Sequence, residues 1–354
     1  MRESRSSVSV GTEVGADRSG MGARDRFLEL VGVRDRRGAL DLAAGLMAAG
    51  MDITELVSIL SSVQVEIGRL WETGSGSIAK EHASTAIVES VIAAAAASTN
   101  LVPQRGRVVV ACVEDEWHSL PARMFSEVVA AAGYEVTFLG PSLPPEDVGA
   151  FLRQVDPIGV ALSCSVAMNL PGAARVIDAA HAAGSRTLVG GSGFGLTPAR
   201  ATSIGADAWA GSPADALDVL DAWSRSPGPV RPSERALGGE APVLLEQRDV
   251  LVRRAVEALT ARLTGTITLD QQQAARTRAD YLYIVRFLES ALLVGDDSIF
   301  LEFLPWLGAV QPGTALPAAV LPLLLNCLGS ALPEGLTQSA RLLAEGNSIL
   351  TRAV

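Results

Sequence analysis

At Arg107 the hydrophobic pattern of this 354-residue chain changes period, and no other feature constrains its folding as much. Upstream, apolar residues recur at three- and four-residue steps. Leu56, Ile59, Leu60, Val63 and Ile67 fall on one face of a helix. Asp52 stands at the N-cap position, and Glu55 completes a capping-box-like pair. After a Gly74-Ser75-Gly76 turn, a further helix runs through SIAKEHASTAIVESVIAAAAAS. Short links between amphipathic helices predict a helical-bundle cap over 23–104. Downstream of Arg107, RVVVACV, EVTFLG, IGVALSC, RTLVGG and ADAWAG read as strands, with helical segments between them. That alternation predicts an α/β doubly wound parallel sheet over 105–224. Ligands of such sheets bind at the strand carboxyl ends, so the loops after the first, third and fourth strands form the candidate site.

The flanking segments carry less information. Residues 225–242 hold four Pro and three Gly and read as a linker. Residues 243–354 read as an all-α unit of a size that suits a globin-like bundle. The first 22 residues are polar, lack the apolar core of a signal peptide and read as a disordered tail. The longest apolar run, Ala315 to Leu325, is too short for a bilayer and contains Pro317 and Pro322. The expectation is a cytoplasmic protein without a membrane partner. A net charge of −10, with Lys80 the lone lysine, argues against a nucleic-acid partner. Three widely spaced Cys exclude a disulfide scaffold and a Cys-rich zinc site. The three His (His82, His118 and His181) limit any imidazole-dependent cofactor. None follows residue 181, which excludes a His-ligated haem from the last third. His181 itself reads as a surface residue.

The loop after the first strand is Glu114-Asp115-Glu116-Trp117-His118-Ser119-Leu120-Pro121. Imidazole is a borderline-soft transition-metal ligand. A carboxylate two residues away can accept its other ring N–H and set the tautomer. On the loop alone, a metal ligand and a His without a role are both open. The third-strand loop, Ser163-Cys164-Ser165, is hydroxyl-rich. The fourth-strand loop, Gly190-Gly191-Ser192-Gly193-Phe194-Gly195, lets a bulky group approach the backbone. It is not a dinucleotide fingerprint, because the G-x-G-x-x-G spacing fails and the segment follows the fourth strand rather than the first.

E-x-H-x-x-P, a Ser-rich loop and Gly-Gly, in this order on a five-strand α/β unit, resemble a cobalamin-binding domain. That family carries D-x-H-x-x-G, a Ser-containing motif and Gly-Gly. The resemblance implies His118 as the lower cobalt ligand and Glu116 as its hydrogen-bonded partner. It implies Ser163 and Ser165 as contacts of the dimethylbenzimidazole tail, with Gly190, Gly191 and the nearby Gly193 giving that tail room. Glu116 stands in place of Asp, and Pro121 in place of Gly.

Two further resemblances extend this reading. Trp71 followed, after nine intervening residues, by Glu81-His82 resembles the cap of light-dependent cobalamin repressors. There the Trp covers the upper face, and the Glu and His contact the adenosyl group. Glu72 occupies the place where those repressors have a second His, so a bis-His photoproduct through that position is not implied. A cobalamin module followed by a His-less helical unit resembles the photocobilins, which join adenosylcobalamin to a bilin such as biliverdin. A bilin would need an aromatic slot and Arg partners for its propionates. Tyr281, Tyr283, Arg286, Phe287 and Trp306 are the candidates. Cys327 reads as a buried structural thiol, with a bilin thioether as the other reading. The resulting expectation is a light sensor rather than an enzyme, acting on an effector protein or through its oligomeric state. The alternative is a corrinoid carrier protein of a methyltransferase system.

Overall fold

The computed structural model describes residues 20–72, 78–99, 101–226, 228, 230, 239–263, 270–310 and 320–352. The expected Gly74-Ser75-Gly76 turn, and most of the 225–242 linker, lie outside these residues. So does the expected tail up to residue 19, and helix α1 already begins at Gly20. The chain forms two compact units, one reaching to Asn100 and one from Leu101 to Val354.

The first unit contains α1 (Gly20–Gly32), α2 (Arg36–Ala48), α3 (Ile53–Glu72) and α4 (Ile78–Ser98). The stripe Leu56, Ile59, Leu60, Val63 and Ile67 on α3 is buried, as its spacing requires. The Asp52 carboxylate accepts the Glu55 amide at 2.8 Å and caps that helix. On α4, Ile87, Val88, Val91, Ile92 and Ala95 make the buried face.

The second unit begins with the predicted α/β alternation. Its elements are β1 (Arg107–Cys112), α5 (Ser119–Ala131), β2 (Glu135–Phe138), α6 (Pro145–Val155) and β3 (Gly159–Ser163). They continue through α7 (Leu170–Ala182), β4 (Thr187–Gly190), α8 (Ala199–Ser203), β5 (Ala208–Ala210) and α9 (Pro213–Arg225). The five strands are parallel in the order β2-β1-β3-β4-β5, so the switch point lies between β1 and β3. Register aligns Cys112 with Ser163, Ser163 with Gly190 and Gly190 with Ala210. The three candidate loops therefore leave the sheet side by side.

The two faces of the sheet differ. Val108, Val110, Ala161 and Leu188 face α5 and α9. Val109, Val160, Leu162 and Val189 face α6 and α7, and the same buried core continues without a break into the last five helices. These are α10 (Ala241–Leu263), α11 (Gln271–Val294), α12 (Ser298–Val310), α13 (Leu321–Ala331) and α14 (Thr337–Arg352). Helix α11 is the docking element, packed against α7, α8 and the 3₁₀ turn Ala167–Asn169. An Asp270–Gln273 capping box opens it, and Gly295, at φ 70°, closes it. Among the described residues, no helix is long and apolar enough to cross a membrane.

Candidate cobalamin-binding site

The loop after β1 turns one side chain inward and the next two outward. Asp115 takes a left-handed backbone, φ 66°, and its amide is held by Ser142 Oγ at 3.1 Å. Glu116 is then fully buried, whereas the Trp117 side chain that follows is 71% exposed. His118 stands at the N-cap position of α5, its ring 64% exposed. The ring Nδ1–H donates to Glu116 Oε1 at 2.6 Å, and the His118 amide donates to the same oxygen at 2.9 Å. Glu116 Oε2 accepts three more bonds, from the Ser165 amide (2.7 Å), the Val166 amide (3.1 Å) and Asn169 Nδ2 (3.1 Å).

Burial pushes the Glu116 carboxyl upward. Its bonds from the His118 ring and amide and from the Ser165 amide outweigh burial and hold it below the usual carboxylate range. Glu116 is therefore ionised near neutrality and can only accept. The imidazole proton is placed on Nδ1, and the ring's lone pair belongs to Nε2, as a metal ligand requires.

Beside this pair, on the α5–α9 face, lies a largely apolar slot of about 250 Å³. Strand residues Val110, Ala161 and Leu188 form its floor, and Pro121, Ala122 and Phe125 of α5 its wall. Ser163, Gly190 and Gly191 line it, together with Ala210 at the end of β5 and Gly211 and Ser212 after it. Gly191 sits at φ 101°, and a Cβ there would lie 2.4 Å from the Cys164 carbonyl oxygen, so only glycine fits.

Two expected tail contacts are placed elsewhere. Ser165 does not line the slot. Its amide holds Glu116, and its carbonyl accepts from Ser192 Oγ at 2.7 Å. Gly193 lies against Cys164, where a Cβ would stand 2.8 Å from Sγ.

Sequence reasoning missed Asn169, and it missed the part played by the segment after β5. Asn169 is 2% exposed and lies far along the chain from Glu116, so no spacing signals the contact. His181 corrects an expectation. Its side chain is only 5% exposed, with Nε2 2.8 Å from Asp207 Oδ2, because the last turn of α7 faces the start of β4 and β5.

The cap residues lie in the other unit. Glu81 Oε1 accepts from Thr85 Oγ1 at 2.9 Å, and the neighbouring His82 ring is exposed. The Trp71 side chain lies outside the described residues.

The five bilin candidates are not brought to one place. Tyr281 is buried with its hydroxyl beside the Cys327 thiol, and burial pushes its pKa well up. Cys327 is itself buried and unpaired. Arg286 turns to the β1 loop, bonding Asp115 and Asn169. Phe287 stacks on Phe303 with ring centres 3.8 Å apart, Trp306 adjoins Phe303, and Tyr283 is 46% exposed.

Residues 106–221 match the family model of the B12 binding domain, and residues 23–95 match a second model with that description. Both segments are B12 binding domains. The first of them contains the Glu116–His118 pair and the residues that line the slot. Over 193 residues the chain is 24% identical to trimethylamine corrinoid protein 1 of Methanosarcina mazei. That match covers 52% of this chain and 88% of the relative. Over 140 residues it is 25% identical to the HTH-type transcriptional repressor CarH of Myxococcus xanthus, covering 40% of this chain and 46% of the repressor. The structure of the Methanosarcina barkeri monomethylamine corrinoid protein shares the fold with a TM-score of 0.50 at 17% identity. It covers 58% of this chain and all of that one.

Proposed function

We propose that this chain is a light sensor that binds adenosylcobalamin through its B12 binding domains. The observation that carries the corrinoid assignment is the Glu116–His118 pair. A buried, ionised carboxylate sets the tautomer of an exposed imidazole, and that imidazole belongs to the N-cap residue of the helix walling the slot. A metal held by protein groups alone takes several of them. A single imidazole suits a cobalt already carried in a macrocycle. His118 would ligate it from below, and Ser163, Gly190 and Gly191 would admit the nucleotide tail. Bound adenosylcobalamin supplies a cobalt–carbon bond that light can break.

The adenosyl form is supported by Trp71, Glu81 and His82, spaced as in the light-dependent repressors, and by the likeness to CarH. In this reading Trp71 packs on the upper ligand, Glu81 hydrogen-bonds its ribose, and His82 sits beside it. The cap is the element that loss of the adenosyl group sets moving. Output is a change of oligomeric state or of affinity for an effector protein. The last five helices, read as globin-like, form the bilin part of the proposal. Its support is the aromatic array of Phe287, Phe303 and Trp306.

The test is the full chain loaded with adenosylcobalamin in darkness, with absorption and hydrodynamic radius recorded before and after green light. A light-dependent change of radius that Trp71→Ala abolishes is expected. Unchanged absorption after light removes the sensor, an unchanged radius removes the oligomeric output alone, and unaltered cobalt ligation in His118→Ala removes the ligand assignment. Co-expression with a biliverdin source decides the pigment, since no red-absorbing band means no bilin. The second reading is a corrinoid carrier protein, favoured by a match spanning 88% of trimethylamine corrinoid protein 1. Tighter binding of methylcobalamin than of adenosylcobalamin would select it.

A further inference from the structure

Helix α11 lies outside both B12 binding domains, yet it reaches the ligand loop. Arg286 Nη2 donates to Asn169 Oδ1 at 2.7 Å and to Asp115 Oδ2 at 3.0 Å. Asn169 in turn donates from Nδ2 to Glu116 Oε2 at 3.1 Å, and Glu116 Oε1 accepts from His118 Nδ1 at 2.6 Å. Each intermediate residue uses two different atoms, one toward α11 and one toward His118. The order is also polar. Arg286 can only donate, and Glu116 can only accept while ionised, so the Asn169 amide has one orientation that satisfies both. Turned over, its NH2 would meet a guanidinium and its oxygen a carboxylate.

We propose that Arg286 and Asn169 are positioning residues for His118, so that the C-terminal helices set how the lower ligand is presented to cobalt. Asn169 is buried and the Arg286 side chain only 16% exposed, so water competes little for these bonds. The capping box and Gly295 fix α11 at both ends, which makes Arg286 a firm anchor. A second grip acts on the loop after β4. Arg200 bonds the Gly193 carbonyl (3.2 Å) and Asp296 Oδ2 (2.8 Å), tying that loop to the turn after α11. The loops after β1 and β4 are therefore both held from α11 or the turn that ends it. A displacement of this helix, by a pigment or a partner on the C-terminal unit, would be read at His118. The inference rests on His118 as the lower ligand.

The experiment uses the full chain, labelled with 15N-histidine and loaded with cob(II)alamin. The nitrogen splitting in its electron paramagnetic resonance spectrum reports a histidine bound to cobalt. His118→Ala should abolish the 15N signature. Arg286→Ala and Asn169→Ala should lower the His-ligated fraction, each within the about 10–100-fold range known for ligand-supporting partners. Arg286→Lys, which keeps a donor for Asn169, should restore part of it. Thermal unfolding of each variant separates a misfolded protein from a misplaced ligand, and if Arg286→Ala fails to fold, Arg286→Gln takes its place. Wild-type His ligation in folded Arg286 and Asn169 variants would overturn the relay and leave the ligand assignment standing. An unchanged spectrum in His118→Ala would overturn both.

Discussion

Glu116→Gln offers a sharp probe of the site, because the carboxylate accepts five bonds and the amide cannot. Oε1 takes the His118 ring and amide, and Oε2 takes the Ser165 amide, the Val166 amide and Asn169. Placing the new NH2 at the Oε2 position would set it against three donors. The milder placement keeps oxygen there and turns NH2 toward His118. The His118 amide then loses its acceptor, at a cost of about 1–3 kcal/mol for an unsatisfied buried donor. At about 2–4 °C per kcal/mol, the unfolding midpoint of the apo-protein should fall by roughly 2–12 °C. The ring can accept from the new NH2 only by moving its own proton to Nε2, the nitrogen that ligates metal. The same substitution should therefore also weaken His-ligated cobalt binding, by about 10–100-fold. The assays are thermal unfolding without cofactor and spectroscopic titration with cob(II)alamin. A variant with the wild-type midpoint and full His ligation would refute the argument that an ionised Glu116 sets the tautomer.

Three further outcomes are expected. Gly191→Ala puts a Cβ 2.4 Å from the Cys164 carbonyl oxygen at φ 101°. It should cost at least about 1–3 kcal/mol in urea unfolding and weaken cobalamin binding, and an unchanged midpoint would mean the loop is not held as described. Arg248→Met strips the 2.6 Å partner from Glu289, whose side chain is 2% exposed and whose carboxyl is pushed up, first by burial. The loss should be about 3–5 kcal/mol near pH 7. It should shrink as pH falls and Glu289 takes up a proton, so a pH-independent loss would contradict the pairing. For Asp207, burial raises the carboxyl, but bonds from His181 and Thr187 outweigh it and hold the group below its usual value. Its contribution is then complete above the unfolded carboxylate range and is lost as pH falls through the lower folded value. Asp207→Asn should be less stable than wild type at pH 7, with the gap closing in acid. A gap that persists at low pH would assign the effect to packing instead.

The change of period at Arg107 was enough to locate all five strands, because a buried parallel strand and an amphipathic helix need different spacings of apolar residues. Glu116, His118, Ser163, Gly190 and Gly191 were legible as candidates. Ser163 and Gly190 end their strands and the other three follow one, at the edge of the sheet where ligands meet such folds. Ser165 shows the limit of such reading. A motif places a residue in a loop without saying which of its atoms the loop uses, and here the backbone amide serves Glu116.

What only the tertiary structure decided was which surfaces meet. The apolar stripes on α7 and α11 each announce a buried face, but neither names its cover. Their pairing makes the sheet and the last five helices one continuous core. It also carries Arg286 to Asn169, a contact across 117 residues that follows from helix packing and leaves no local pattern. The His181 side chain is buried for the same reason, since Asp207 lies 26 residues away, just before β5. Local periodicity was dictated by the sequence alone, because it depends on neighbours within a turn or a strand. The relay behind His118 was not, because its links are set by the packing of whole elements.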